Sequence, residues 1–265
     1  MIKESNIALL TTVANFELYK KTSPLFPQNI QKYVIDGTNG MHGYDSIKYM
    51  LNKLKNKNIE WLVMADEDVI FSNPNAIFEI IEHMKHNDYS VCGVRDGGMI
   101  PHRKQNPYLI NTFFSIIHFS EIENIWKKKE VDKNQYIKKN EFDDNLSSLI
   151  HEYNVSSIYE PYYCFYLWLR RKGKKILFLD ANVPFEEDII TNSVNDHRGN
   201  KMLYHTWYAR AYGVNEKHTK RIDKIFSLLS VKNDNFIKPI IFKDNTFAFR
   251  KRISKFIAKV VAKVK

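Results

Sequence analysis

Two cysteines among 265 residues leave no basis for a disulfide framework. Cys92 and Cys164 each lie inside an apolar or aromatic run, so buried thiols in a reducing compartment are expected. The triplets that begin at Asn145 and Asn154 and would suit glycosylation then carry little weight. No apolar run reaches the roughly 18 residues of a spanning helix, and no basic start followed by an apolar stretch opens the chain. A cytoplasmic, non-spanning protein is the expectation. Zinc-finger spacing, a helix-turn-helix and an aromatic-basic sheet motif are all missing, so nucleic acid is not an expected partner. Internal repeats are missing too.

Acids are the scarcer charge, 30 against 40 Lys and Arg, which gives a net +10 and favours anionic partners in general. The excess is local. "RKRISKFIAKVVAKVK", Arg250 to Lys265, holds seven basic residues and no acid, leaving the rest of the chain at +3. Its apolar residues, Ile253, Phe256, Ile257, Val260, Val261 and Val264, follow spacings of three and four, one stripe of a helix with lysines opposite. Such a helix either docks on the domain or lies in an anionic membrane interface, so peripheral attachment to the inner face of the cell membrane stays open.

Hydrophobic residues, 44% of the chain, are ample for one large core. The first half alternates strand and helix. "NIALLTTV" and "KYVIDG" read as strands, "HGYDSIKYMLNKLKNK" as a helix and "IEWLVMADED" as a strand. "SNPNAIFEIIEHMKHN" reads as a helix and "YSVCGV" as a strand. That alternation predicts an α/β fold with a mostly parallel central sheet covered by helices. Residues 95–109 read as a loop, "INTFFSIIHF" as a strand, and "EPYYCFYLWLRRKGKK" as a helix with Pro161 in its first turn. "ILFLDA" is a strand, and residues 183–213 read as site loops. The expected division is a catalytic domain over residues 1–214 and a C-terminal helical extension with the basic amphipathic tail over 215–265.

"WLVMADEDVIF" poses the chemical question, because an apolar strand ends on three adjacent acids. In extended chain alternate side chains share a face, so Asp66 and Asp68 can converge while Glu67 points elsewhere. Two carboxylates on one side suit Mg²⁺ or Mn²⁺, with a diphosphate completing the coordination. A solvated acidic turn is the plainer alternative from these three letters alone.

The arrangement resembles the nucleotide-sugar-dependent glycosyltransferases of the GT-A fold over about residues 5–210. Their Asp-x-Asp ends a central strand and holds a divalent cation against the nucleotide diphosphate; Asp66-Glu67-Asp68 is similar to it. "YVIDGT" resembles the segment whose acid contacts the nucleoside, which implies Asp36. "LLTTVAN" resembles the first strand lining the base and ribose pocket, which implies Thr11 and Val13, with Lys48 on the following helix near the base. The resemblance implies a single GT-A-like domain, Mn²⁺ or Mg²⁺ as cofactor and a nucleotide-diphosphate sugar, a UDP-sugar first, as donor.

In that family a helix behind the acceptor loops begins with an acid that deprotonates the acceptor hydroxyl in inverting members, which implies Glu160. The family usually has an acidic pair there and this chain has Tyr159-Glu160. Asp143–Asp144 and Glu186–Glu187–Asp188 are rival acids. A further metal ligand is implied at His205 or His197, with His205 favoured. Arg198, Lys201 and Arg210 are the cations able to offset charge on the leaving diphosphate. Asp96, His102, Arg103 and Asn111 are implied to face donor sugar and acceptor, with Trp207 among the stacking candidates. The activity implied is metal-dependent transfer to a hydroxyl of a glycan or lipid-linked acceptor, with inversion. Two rivals stand beside it. A sugar-nucleotide nucleotidyltransferase would need a Gly-rich basic loop after the first strand, and "TTVANFELYK" has none. The other is a non-enzymatic basic protein that binds nucleic acid or membrane.

Overall fold

In the computed structural model, which describes residues 3–229 and 237–264 (backbone alone at 258 and 260–264), strands and helices alternate through the first half. The strands are β1 (Ile7–Val13), β2 (Gln31–Asp36), β3 (Trp61–Ala65), β4 (Val69–Phe71), β5 (Tyr89–Arg95), β6 (Ile110–His118), β7 (Lys175–Leu179), β8 (Ala181–Asn182), β9 (Asn192–Asn195), β10 (Lys201–His205) and β11 (Ile240–Phe242). The helices are α1 (Phe16–Thr22), α2 (Tyr44–Lys53), α3 (Ala76–His86), α4 (Phe119–Ile125), α5 (Lys128–Val131), α6 (Tyr163–Arg171), α7 (Glu216–Ser227) and α8 (Phe247–Val264).

The main sheet has seven strands in the order β11-β2-β1-β3-β6-β5-β7. Only β6 runs against the others, pairing antiparallel with β3 and β5. The fold is therefore α/β with a mostly parallel central sheet flanked by helices. A second, antiparallel sheet in the order β4-β10-β9-β8 stands at its end.

The core forms on both faces of the main sheet. Ile7, Leu9 and Val13 of β1 pack towards α3 and the small sheet, while Ala8 and Leu10 pack towards α2 and α6. Each fully buried Leu, Ile or Phe in these clusters contributes about 2 kcal/mol. Cys92 and Cys164 are free and buried, and burial alone pushes the Cys92 thiol far above its ordinary value.

Two parts of the sequence reading need correction. Residues 183–213 carry β9 and β10 as well as loops; strands of four and five residues amid Asn, Asp, His and Arg leave too short a pattern to be read as sheet. The segment from 215 onward is no purely helical appendage either. After α7 the chain returns as β11, which pairs in parallel with β2 and stacks Phe242 on Tyr33 at 5.7 Å. The predicted tail helix forms as α8, whose first turn is tied down by the Arg250–Asp244 ion pair and by Lys251 to Asp45 at 2.9 Å.

Candidate active site

β3 and β4 belong to different sheets, and the acids occupy the turn between them. The Asp66 N–H still donates to Phe113 of β6 at 2.8 Å, continuing the large-sheet ladder, and Val69 N–H closes the turn onto the Asp66 carbonyl at 3.1 Å. Thr206 N–H then donates to the Asp68 carbonyl at 3.0 Å, pinning the end of β10 to the same turn. Asp66, Glu67 and Asp68 line a cleft of about 530 Å³ with Thr12, Met41, His42, Ser46 and Arg210 among its other walls.

The three acids have separate roles. Glu67 turns towards β1, where its Oε1 accepts from Ala14 N–H at 2.8 Å and Asn15 N–H at 3.0 Å. It thus fixes the chain as it leaves β1, a contact the alternation argument did not foresee. Burial, with the Asp68 charge behind it, raises its carboxyl to about 7 in spite of those hydrogen bonds. Asp66 is held well above the carboxylate range by burial and then by Asp68 and Glu67, with Arg210 opposing. Asp68 is 5% exposed, and His205 Nε2 lies 3.4 Å from its Oδ1. The His205 ring stacks on Phe113 at 3.9 Å and meets the tilted Trp207 ring at 4.2 Å, which restricts its plane.

The donor set of Asp66, Asp68 and His205 fits Mn²⁺ or Mg²⁺ in chemistry: two carboxylate groups, one imidazole and a surplus of buried negative charge. Among the described residues no group of three His, Cys, Asp or Glu forms a ready-made metal cage.

Of the three cations expected near a diphosphate, Arg210 is the one that lines the cleft. It lines the main cleft, the neighbouring hollow at Gly37, Thr38 and Gly40, and the pocket around Glu160. Trp207 and Tyr208, with φ of 57° and 60°, take the left-handed conformation in succession to turn the chain after β10 towards it. Asn15 clamps this loop by donating its Nδ2 to the Ala209 and Tyr212 carbonyls, both at 2.9 Å, while its Oδ1 caps α1. Arg198 pairs instead with Glu79 at 2.9 Å, and Lys201 lies exposed over the Tyr204 ring. Neither faces the cleft.

Several other expectations shift. Thr11 and Val13 are fully buried, and it is Thr12, hydrogen-bonded to Ser46, and Ala14 that reach the cleft. Lys48 pairs with Asp45 at 2.8 Å and does not line the cleft. Asp36 sits at the end of β2 with its carboxylate occupied by Thr38 (N–H at 3.1 Å, hydroxyl at 2.5 Å) and Lys243 at 3.1 Å, so Gly37 and Thr38 form the surface there. His197 stacks on His83 at 4.5 Å in a separate hollow against α3, away from Asp66 and Asp68.

A second pocket of about 500 Å³ meets the first at Asp66, Thr112 and Arg210. Its walls include Arg103, Asn111, Glu160 and Trp207, so four of the residues expected on the acceptor side do converge. Arg103 is the keystone. Its guanidinium grips Asp96 through Nε and Nη2, both at 2.6 Å, and Nη2 also donates to Glu160 at 2.9 Å. Asp96 is 0% exposed and accepts as well from Asn111 at 2.7 Å, Tyr162 at 3.1 Å and Tyr163 at 2.5 Å. With its oxygens so engaged, Asp96 is a buried anchor behind the pocket wall and is not among the residues that line the pocket. His102 packs its edge against Trp207 at 4.7 Å behind the wall, its imidazole pushed down to about 4, chiefly by burial. Of the rival acids, Asp144 is engaged with Arg95 and Arg170, Asp188 with Thr191 and Arg221, and Glu187 with Lys224, while Asp143 and Glu186 are exposed and line neither pocket.

No family model matches the sequence, and no curated protein matches it. Among solved structures, a mannosyltransferase from Pyrobaculum calidifontis in complex with GDP-Man and Mn²⁺ is similar over 45% of this chain and 46% of its own, at 8% identity and TM-score 0.32. A glycosyltransferase involved in glycosylation of the major capsid of PBCV-1 is similar over 45% and 63%, at 19% identity and TM-score 0.32. A197 from STIV is similar over 47% and 70%, at 13% identity and TM-score 0.32. The overlap thus spans about half to two thirds of the two transferases, an extent that carries no functional weight.

Proposed function

We propose that the chain is a metal-dependent glycosyltransferase that moves a sugar from a nucleotide-diphosphate donor, a UDP-sugar first among candidates, to a hydroxyl of a glycan or lipid-linked acceptor. The observation that carries this reading is the meeting of two pockets at Asp66. One is walled by Asp66, Asp68 and Arg210, and the other contains Glu160. Transfer needs a place for an anionic leaving group beside a place for an incoming hydroxyl, and these pockets supply both.

Asp66, Asp68 and His205 would hold the divalent ion, which when bound supplies Lewis-acid stabilisation of the departing diphosphate. Arg210 faces the same region with a fixed positive charge that needs no reorganisation as charge develops. Thr12 and Ser46 offer hydroxyls along the donor cleft, and Glu67 holds the strand end that shapes it. Glu160, steadied by Arg103, takes the proton of the acceptor hydroxyl in an inverting displacement. Trp207 gives the acceptor pocket an aromatic wall, the kind of surface on which a sugar ring stacks.

A panel of nucleotide sugars tested for binding and hydrolysis with and without Mn²⁺ decides the matter. At least one should respond to the metal. Silence across the panel removes the reading.

A further inference from the structure

α8 leaves the protein with its apolar face uncovered. Phe249 is 68% exposed and Phe256 also 68%, with Ile253 and Ile257 exposed beside them on the same stripe. The sequence extends the stripe through Val260, Val261 and Val264, whose side chains lie outside the described residues. Apolar side chains at such spacing cost free energy in water unless something covers them. The rest of the helix says what. From Phe247 to Val264 it carries Arg250, Lys251, Arg252, Lys255, Lys259 and Lys263 and no acid. A protein partner with an apolar groove would not require so uniform a charge, whereas an anionic lipid surface attracts each such cation while accepting the aromatic and aliphatic side chains. No helix among the described residues is long and apolar enough to cross a membrane, so α8 would lie in the interface plane.

The placement of the helix is as informative as its composition. Lys251 is shared between α8 and the Glu160 pocket, which it lines. It pairs with Asp45 at 2.9 Å and donates to the Gly40 carbonyl at 3.3 Å, while Phe247 packs against the core beside α2 and α6. The helix therefore starts on the rim of the pocket and is joined to it without a slack linker. Whatever surface α8 lies on is brought to the mouth of that pocket.

We infer that α8 docks the protein on an anionic lipid bilayer through Phe249, Ile253, Phe256 and Ile257 with their surrounding cations, and that the acceptor is an amphiphile held in that same bilayer. The second half of this inference rests on the proposed transferase activity; the first does not.

The full chain is floated with vesicles of phosphatidylcholine alone and of phosphatidylcholine with phosphatidylglycerol. Binding should occur on the anionic vesicles, weaken with added salt, and fall about tenfold or more in F256D/I257D. No binding, or equal binding to neutral and anionic vesicles, overturns the docking. Metal-dependent hydrolysis of the donor sugar by F256D/I257D should match the parent chain, since neither residue touches the pockets. Transfer to a saccharide on a lipid anchor in anionic vesicles should drop about tenfold in the same variant, and an unchanged rate overturns the amphiphilic acceptor. Anionic-vesicle binding without hydrolysis of any donor would sink the transferase reading and leave the docking standing; hydrolysis without vesicle binding would do the reverse.

Discussion

Arg103 donates to Glu160 at 2.9 Å with the same guanidinium that grips Asp96, so an acid of the pocket lining is braced by a fully buried one. This brace separates two roles that a substitution at Glu160 would otherwise confuse. Gln in place of Glu160 still accepts from Arg103 but cannot take a proton. E160Q should therefore fold and bind donor as the parent does, with transfer lowered about 10²–10⁴-fold. Thermal melting and single-turnover kinetics read the two separately. Full transfer by E160Q would remove Glu160 as the base.

Removing the brace itself should act on stability. R103A leaves Asp96 charged, buried and short of its main partner, a defect worth about 3–5 kcal/mol. R103K keeps the charge but loses the two-pronged grip, and should fall between. Denaturant unfolding of the two variants gives the order, and an R103A protein as stable as the parent would contradict the network.

Asp68 and His205 should act together in the metal response. D68N and H205A are each expected to weaken Mn²⁺-dependent donor binding by about 100-fold or more, while metal-free binding changes little. Calorimetric titration with and without Mn²⁺ checks this, and chelation of the parent chain should reproduce both variants.

Glu67 is predicted to matter for shape. E67Q retains an acceptor for the N–H groups of Ala14 and Asn15, whereas E67A strands both and should cost about 1–3 kcal/mol. Because Asn15 also clamps the loop that carries Arg210, E67A should lose donor affinity beyond its loss of stability. Melting temperatures and donor binding of the pair test it.

Asp144 supplies one testable part of the pH dependence. Burial would raise its carboxyl, but the hydrogen bonds and charges of Arg170 and Arg95 prevail and hold it below the ordinary range. Its contribution is therefore complete above the unfolded carboxylate value of about 4 and fades as pH falls through the lower folded value. D144A should lose about 3 kcal/mol at neutral pH and show a flatter acid limb than the parent in a stability–pH series.

The sequence made the strand–helix alternation, the β3 acids and the amphipathic tail legible because each is a local pattern. The face of β1 that meets the cleft was not. A parallel strand buried on both sides has no polar-apolar alternation to betray its parity, so the sequence does not separate Thr12 and Ala14 from the implied Thr11 and Val13. His205 is favoured over His197 because apolar residues precede it, and the pairing of β10 with β4 is what brings it beside Asp68. Arg210 stood in the sequence as one of three basic residues; what singles it out is the double left-handed turn at Trp207 and Tyr208. The bond from Glu67 to Asn15 joins residues 52 positions apart, beyond the reach of any periodicity.

The return of the chain as β11 gives the molecule a late-closing seam. β2 receives its outer neighbour, and Asp36 its Lys243, only from residues far along the chain. The wall beside the hollow at Gly37 and Thr38 is thus begun early in the sequence and completed late in it. A chain cut after α7 would present β2 as an unpaired edge, open to pairing with another strand.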